Sequence, residues 1–286
     1  GDGDSILLLR RYFPKLRVVA LPSLELRYTN NDAQRGFYLR ALPALVRFTI
    51  ADHYYLRQLL AIEHFDLIIS DNRFGFFSRY TWPVYITHQL YPILPKSLKF
   101  FQPLARALHA CIYKRYNEVW VPDYADATHN LSRALAHGGR FDQKAKYLGP
   151  LSRFSLASEA ILKRYRNDVD YAIVAILSGL EPQRTLFEKE LIERFHNYHM
   201  PVLIVRGKID NPATTTQIGS VTLIPHISDN QLLSIMLQAQ KIIARSGYST
   251  IMDLEVLNLL HKAELHPTPG QSEQEYLALL YLNRTR

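Results

Sequence analysis

Five short groups in the second half of the chain combine residues that could hold an anion: Ser178-Gly179, Arg206-Gly207-Lys208, Pro225-His226, Arg245-Ser246-Gly247 and Thr268-Pro269-Gly270. Glycine lets backbone amides approach a ligand, hydroxyls donate hydrogen bonds, and guanidinium groups match phosphate oxygens two at a time. Any one of these groups is ordinary turn chemistry. Each, however, follows an apolar run of strand length, and in an open parallel sheet the residues just past the strands line the ligand crevice. In the first half, His88 in "THQLYP" is the best-placed candidate base, with Asp71 and Asp123 as alternatives. All three also have a purely structural reading.

The elements that must position these residues alternate between short apolar runs and amphipathic segments, the mark of βαβ units. The expected strands are "LRVVALP", "FDLIIS", "PVYITH" and "EVWVPD" in the first half, with a strand-like "KAKYLGP" at its end. In the second they are "DYAIVAIL", "PVLIVRG", "SVTLIP", "KIIARS" and "KAELHP". A polar, charged stretch after "KAKYLGP" places a domain boundary near residue 155, giving domains 1–155 and 156–286. Pro182 suits a first helical turn, so Arg184 would sit at the positive end of a helix dipole, an unfavourable place without an anion. The amides of that helix start, with Gly179, would make a phosphate cradle. It carries neither Gly-Lys-Ser/Thr nor Gly-x-Gly-x-x-Gly, which speaks against a P-loop NTPase and a simple dinucleotide oxidoreductase. Asp253 falls in the second turn of the helix after "RSG", where it reads as a ribose ligand or as a solvated acid. Gln271, Glu273, Gln274 and Glu275 follow "PTPG", suited to sugar hydroxyls or to helix capping.

Composition narrows the class. The chain has 286 residues, 48% of them hydrophobic and 21% charged, which reads as globular, with room for two domains. No apolar run approaches the roughly 18 residues a bilayer span needs. A single cysteine, Cys111, excludes an intrachain disulfide and favours a cytosolic setting; no signal peptide is visible. Eleven histidines show no metal-ligand spacing, so neither a zinc site nor a cofactor is expected. Net charge is +8, and residues 72–117 contain no Asp or Glu while Arg73, Arg79, Lys96, Lys99, Arg106, Lys114 and Arg115 accumulate among aromatics. That region suits an anionic membrane face or an acceptor phosphate, or else a buried strand and a helix whose cations snorkel to water. No nucleic-acid motif accompanies the charge.

The segments "ISDNQLLSIMLQAQKIIARSGYSTIMDL" and "PTPGQSEQEYLA" resemble glycosyltransferases of the GT-B fold, particularly family 28, which includes the bacterial cell-wall N-acetylglucosaminyltransferase with its lipid-linked acceptor and the plant galactolipid synthases. The resemblance implies an α/β chain of two Rossmann-like parallel-sheet domains facing across a cleft, and inverting, metal-independent transfer of a hexosyl or N-acetylhexosaminyl group from a UDP-sugar to an acceptor hydroxyl. It implies that Ser246, Gly247, Ser249 and Thr250 line the diphosphate, and that Ser178, Gly179 and Arg184 lie beneath the phosphates. His226 and Ile227 would pair through their backbone with uracil. Asp253 stands where the family holds the ribose with Glu, and Gln274 and Glu275 stand at its Gln pair, Glu275 being a departure. His88 matches a His-Glu segment near the acceptor, and Arg184 or Arg245 would stabilise departing UDP. The resemblance further implies that a first strand with a glycine-rich loop and a last helix lie outside "GDGDSILLLRRYFPKL" and "LYLNRTR", and that a chain without them turns over poorly. It implies a cytoplasmic place at the inner face of the membrane. Two competing readings are a UDP-sugar 2-epimerase and a catalytically silent nucleotide-sugar-binding subunit.

Overall fold

The computed structural model describes residues 3–21, 34–126, 128–139, 145–155, 171–208 and 214–282. The charged stretch around the expected boundary, residues 156–170, lies outside them. The chain divides into two compact units, Gly1–Gly149 and Pro150–Arg286.

In the first unit, helices α1 (Gly3–Tyr12) and α2 (Gln34–Ile62) precede a four-stranded sheet in the order β1 (Leu67–Asp71), β2 (Trp82–Ile86), β3 (Glu118–Val121) and β4 (Ala145–Tyr147), every pair parallel. Helix α3 (Gln102–Tyr113) connects β2 to β3. The core is aromatic: Tyr85, Tyr113 and Tyr116 pack with Val119 and Val121. Burial pushes the Tyr113 and Tyr116 hydroxyls above their ordinary range, and each donates to backbone carbonyls, Tyr113 to Gln89 at 3.1 Å and Tyr116 to Phe74 at 3.2 Å.

"LRVVALP" is not a strand: residues 16–21 are irregular, and Pro22 lies outside the described residues. β-Propensity expresses itself only against a neighbouring strand, and among the described residues β1 pairs with β2 alone. Arg17 is instead fixed to Glu63, 2.5 Å away.

In the second unit the sheet order is β10 (Ala263–His266), β9 (Lys241–Arg245), β5 (Ile173–Ile176), β6 (Val202–Val205), β8 (Val221–Ile224), β7 (Thr216–Ile218), all parallel except the β7–β8 pair. Sequence reading missed β7, which is short, polar and exposed throughout, so it shows neither an apolar run nor alternation. Alternate residues face opposite ways. Val174, Leu203, Val205 and Ile242 pack beneath α5 (Asp229–Gln238) and α6 (Tyr248–Val256). Ile173, Ala175, Ile204 and Ile243 pack beneath α4 (Gln183–Phe195). The last helix, α7 (Ser272–Leu282), follows β10.

This order has a consequence for ligand binding. The chain leaves β5 through α4 toward β6 on one side, then returns after β8 and α5 to place β9 on the other side of β5. The loops after β5 and β9 therefore diverge from adjacent strand ends, a topological switch point, where doubly wound sheets leave a crevice.

Candidate functional site

Ser178 and Gly179 lie on one side of the switch point and Ser246 and Gly247 on the other, since Ile176 of β5 is in register with Ala244 of β9. Ser178 and Gly179 are exposed, and Gly179 has φ +94, a conformation other residues rarely adopt. Gly247 is different. Its φ of −71 and ψ of 144 suit any residue, and a Cβ built on it would meet nothing nearer than Thr250 Oγ1 at 4.0 Å. Neither backbone nor packing requires a glycine there; what its missing side chain does is leave open the space before the first turn of α6.

That turn has an open leading end. Helix α5, at the same sheet edge, is closed by a capping box in which Ser228 and Gln231 each satisfy the other's backbone amide. Helix α6 has no side-chain cap on Gly247, so the amides of Ser249 and Thr250 and the positive end of the helix dipole meet whatever lies in front. Ser249 and Thr250 stand on this first turn, Ser249 exposed.

The start of α4 is not open in this way. Glu181 accepts from the Thr185 amide at 3.1 Å and pairs with Arg184, whose Nη1 also donates to the Gly207 carbonyl at 3.1 Å. The anion expected beside Arg184 is thus a carboxylate of the chain itself, three residues earlier, and this helix start is no vacant phosphate cradle. Hydrogen bonds from Thr185 and Arg184 outweigh the partial burial of Glu181 and hold its pKa below the ordinary value.

Two further cations have structural work. Arg206 grips Glu188 with both ends of its guanidinium, at 2.8 and 2.7 Å, so its strongest donors are spent. Arg245 is 6% exposed and lies 4.0 Å from the centre of the Phe187 ring. It donates to the carbonyls of Pro267 at 2.8 Å and Gln183 at 3.2 Å. Burial lowers its pKa. It joins the exits of β9 and β10 to the start of α4 from inside the unit and presents no fork to a ligand.

Ser246 is likewise turned inward. It is fully buried; its amide donates to His266 O at 3.1 Å and its hydroxyl to Gln274 O at 2.8 Å. Gln274 returns the tie, its Oε1 accepting from the Thr268 amide at 2.8 Å. Ser246 and Gln274 therefore fix the α6 and α7 starts against each other, which leaves Gln274 only its Nε2 for a ligand. Glu275 is half-buried on the first turn of α7. After β8, His226 and Ile227 are half-buried, with Ile227 packed on the core; the Lys208 amide donates to the preceding Pro225 carbonyl at 2.9 Å.

Asp253, in the second turn of α6, accepts from Ser152 Oγ at 2.7 Å and from Arg153 Nε at 3.2 Å. Burial raises its pKa, against the pull of Ser152 and Arg153. A carboxylate has about four acceptor positions, so two remain for a diol. Sequence reasoning did not find Ser152 and Arg153, which lie about a hundred residues upstream in the chain.

In the first unit, Asp71 ends β1 and His88 lies two residues past β2, so parallel pairing brings both to one edge. Partial burial pushes the Asp71 carboxyl up while the charge of His88 pulls it down. Asp123 has no place in this pair. It is fully buried and accepts from the amides of Tyr124 (2.7 Å), Leu131 (2.7 Å) and Ser132 (2.9 Å), from the Ser132 hydroxyl and from His137 Nε2 (3.1 Å). Its lone pairs are committed, which removes it as a candidate base.

With this geometry in place, the chain can be compared with solved structures. It is similar to the glycotransferase of kitacinnamycin, at 12% identity over 96% of this chain and 74% of that one, with a TM-score of 0.53. It is similar to CalG4, the calicheamicin glycosyltransferase, at 12% identity over 97% of this chain and 74% of that one, with a TM-score of 0.54. It is similar to UGT2 of Phytolacca americana, complexed with UDP-2-fluoro-glucose and pterostilbene, at 12% identity over 99% of this chain and 74% of that one, with a TM-score of 0.52. At such identity the likeness is one of fold: the chain has the two parallel-sheet α/β units of GT-B glycosyltransferases. No family model and no curated protein sequence matches it.

Proposed function

We propose that the chain is a glycosyltransferase of family 28 type that binds a UDP-linked sugar at the switch point of its second unit. The observation that carries this reading is the uncapped start of α6 behind a glycine that neither backbone nor packing requires. In this reading the diphosphate meets the α6 amides with Gly247, Ser249 and Thr250 around it. Ser178 and Gly179 close the opposite side, and the backbone of His226 and Ile227 receives uracil. Asp253 takes the ribose diol, and Gln274 Nε2 and Glu275 face a hexosyl or N-acetylhexosaminyl group. The acceptor oxygen attacks the anomeric carbon and gives its proton to His88. The bond from that carbon to the diphosphate oxygen breaks, and UDP leaves with the electron pair toward the helix dipole. Arg184, Arg206, Arg245 and Ser246 support the fold beneath this site and do not touch the donor.

Calorimetric titration with UDP and UDP-sugars tests the reading. Asp253→Asn keeps an acceptor for Ser152 and removes the charge, so it weakens UDP several-fold more than it weakens inorganic pyrophosphate. Equal weakening of both, or none, removes Asp253 from the ribose.

The proposed acceptor is lipid-linked, met at a membrane surface by the first unit. Among the described residues no helix is long and apolar enough to cross a membrane. The 3-10 turn Lys96–Phe101 and α3 instead expose Phe100 (89%), Phe101 (52%), Leu104 (56%) and Leu108 (52%), with Lys99 and Arg106 on the same elements, Lys114 just past the end of α3, and no acid between residues 72 and 117. Apolar residues flanked by cations are the composition of an interfacial helix. Replacing Phe100 and Phe101 together by serine should weaken binding to anionic vesicles by about tenfold or more in flotation assays, from the apolar area lost. Unchanged flotation would remove this face from the account.

A further inference from the structure

At the opposite edge of the first sheet from His88 lies a cavity of about 870 Å³. Its walls come from the last turns of α2 (Arg57, Leu60), the loop entering β2 (Arg79, Tyr80) and the α3–β3 connection (Arg115, Asn117). Because the strand ends differ, this cavity and His88 are separated by the length of β2, roughly 15–20 Å. Three arginines line it, and among the described residues no acidic residue does.

Elsewhere in the chain arginines find acids: Arg73 pairs with Asp52, Arg194 with Glu264 and Arg206 with Glu188. Two of the cavity arginines lie over aromatic faces instead. Arg115 lies 5.0 Å from the Phe77 ring centre and Arg79 lies 4.7 Å from that of Tyr80. Acids close to Arg57 and Arg115 in sequence are engaged: Asp52 by Arg73, Glu63 by Arg17, and Glu118 by Trp120 and Lys146. Stacking leaves the N–H donors of a guanidinium available; Arg79 gives one Nη2 donor to the Tyr80 hydroxyl and keeps the others, so several donors border one space whose wall holds no carboxylate. The volume far exceeds a phosphate and falls in the range of organic ligand sites. Leu56, Leu60 and Phe77 make part of the wall apolar, beside the polar His53 and Ser78.

We propose that this cavity binds a phosphate monoester carrying an apolar group, with Arg57, Arg79 and Arg115 on the phosphate and Leu56, Leu60 and Phe77 on the organic part. The site is independent of the donor reading, which concerns the second unit. A soluble ester and a lipid headgroup share this chemistry, and two probes separate them.

Hexyl phosphate should bind the chain about tenfold or more tightly than inorganic phosphate, and hexanol should not compete. Arg57→Gln, Arg79→Gln and Arg115→Gln together should weaken hexyl phosphate by roughly thirtyfold or more, the scale of lost charge-assisted hydrogen bonds, while Lys189→Gln on the exposed face of α4 leaves it unchanged. On the wild-type chain, hexyl phosphate should protect Arg79 and Arg115 from phenylglyoxal, read by peptide mass spectrometry, so the proposal stays testable even if the triple variant does not fold. Phosphatidic acid in phosphatidylcholine vesicles that gives the same protection identifies a lipid source; protection by the soluble ester alone identifies a free one. Equal modification with and without every phosphate probe, or a folded triple variant that binds hexyl phosphate as wild type does, overturns the proposal.

Discussion

Alanine at position 123 is expected to destabilise the first unit by about 3–5 kcal/mol, the cost of removing one partner from a buried charged network. Asp123, itself fully buried, accepts from three backbone amides, one hydroxyl and one imidazole. Without the carboxylate those donors stay buried and unpaired, each at a desolvation cost of about 1–3 kcal/mol before relaxation. Both tryptophans, Trp82 and Trp120, belong to this unit, and Trp120 lies three residues before Asp123. Intrinsic fluorescence during urea unfolding therefore reports this unit selectively, and its midpoint should fall sharply.

The same carboxylate gives a pH signature. Burial would raise its pKa, but hydrogen bonds from His137, Leu131 and Ser132 outweigh it and hold the value below 3.8. A depressed folded-state pKa stabilises the fold at pH above the unfolded value and ceases to as pH falls through the folded one. The stability gap between wild type and Asp123→Ala should be full at neutral pH and shrink only below about pH 4. An unchanged fluorescence midpoint at neutral pH would show that the turn does not depend on Asp123.

The second large effect concerns His88. If it removes the acceptor proton, His88→Ala should lower the turnover of sugar transfer by about 10²–10⁴, the usual range for a general base, with UDP affinity unchanged. Asp71 provides a finer readout. The charge of His88 acts on the Asp71 carboxyl, so Asp71→Asn should lower turnover by less than His88→Ala does and leave UDP affinity unchanged. A His88→Ala chain that retains turnover within about threefold of wild type would pass the role of base to another group.

Much of the framework is legible in the residues alone. Buried parallel strands read as unbroken apolar runs, and "PVLIVRG" and "KIIARS" contain β6 and β9. The same logic fails for "LRVVALP", because a strand is a property of a pair and the partner is not written in the segment. It fails for β7 in the other direction, since a polar edge strand is held by its ladder to β8 alone. At the site, the positions of the strand exits were legible and the duties of their side chains were not. Gly179 and Gly247 sit where expected, yet Arg206 answers to Glu188, eighteen residues away, and Asp253 to Ser152 and Arg153, about a hundred away. Only Glu181 carried a local signal, an acid three residues before Arg184, the spacing at which helical side chains meet.

The open start of α6 is proposed as an anion site for a nucleoside diphosphate. It is tested most directly by titrating UDP into wild type and Gly247→Thr while following the melting temperature of each. Threonine is about as good a helix cap as glycine, and a Cβ has room, with its nearest neighbour at 4.0 Å, so the fold should be kept. Its branched side chain would fill the space before the α6 amides and its hydroxyl would cap them. The account predicts that wild type binds UDP and that Gly247→Thr, with an unaltered or higher melting temperature, binds it about tenfold or more weakly. UDP binding of equal strength by both proteins, or none by wild type, would contradict it.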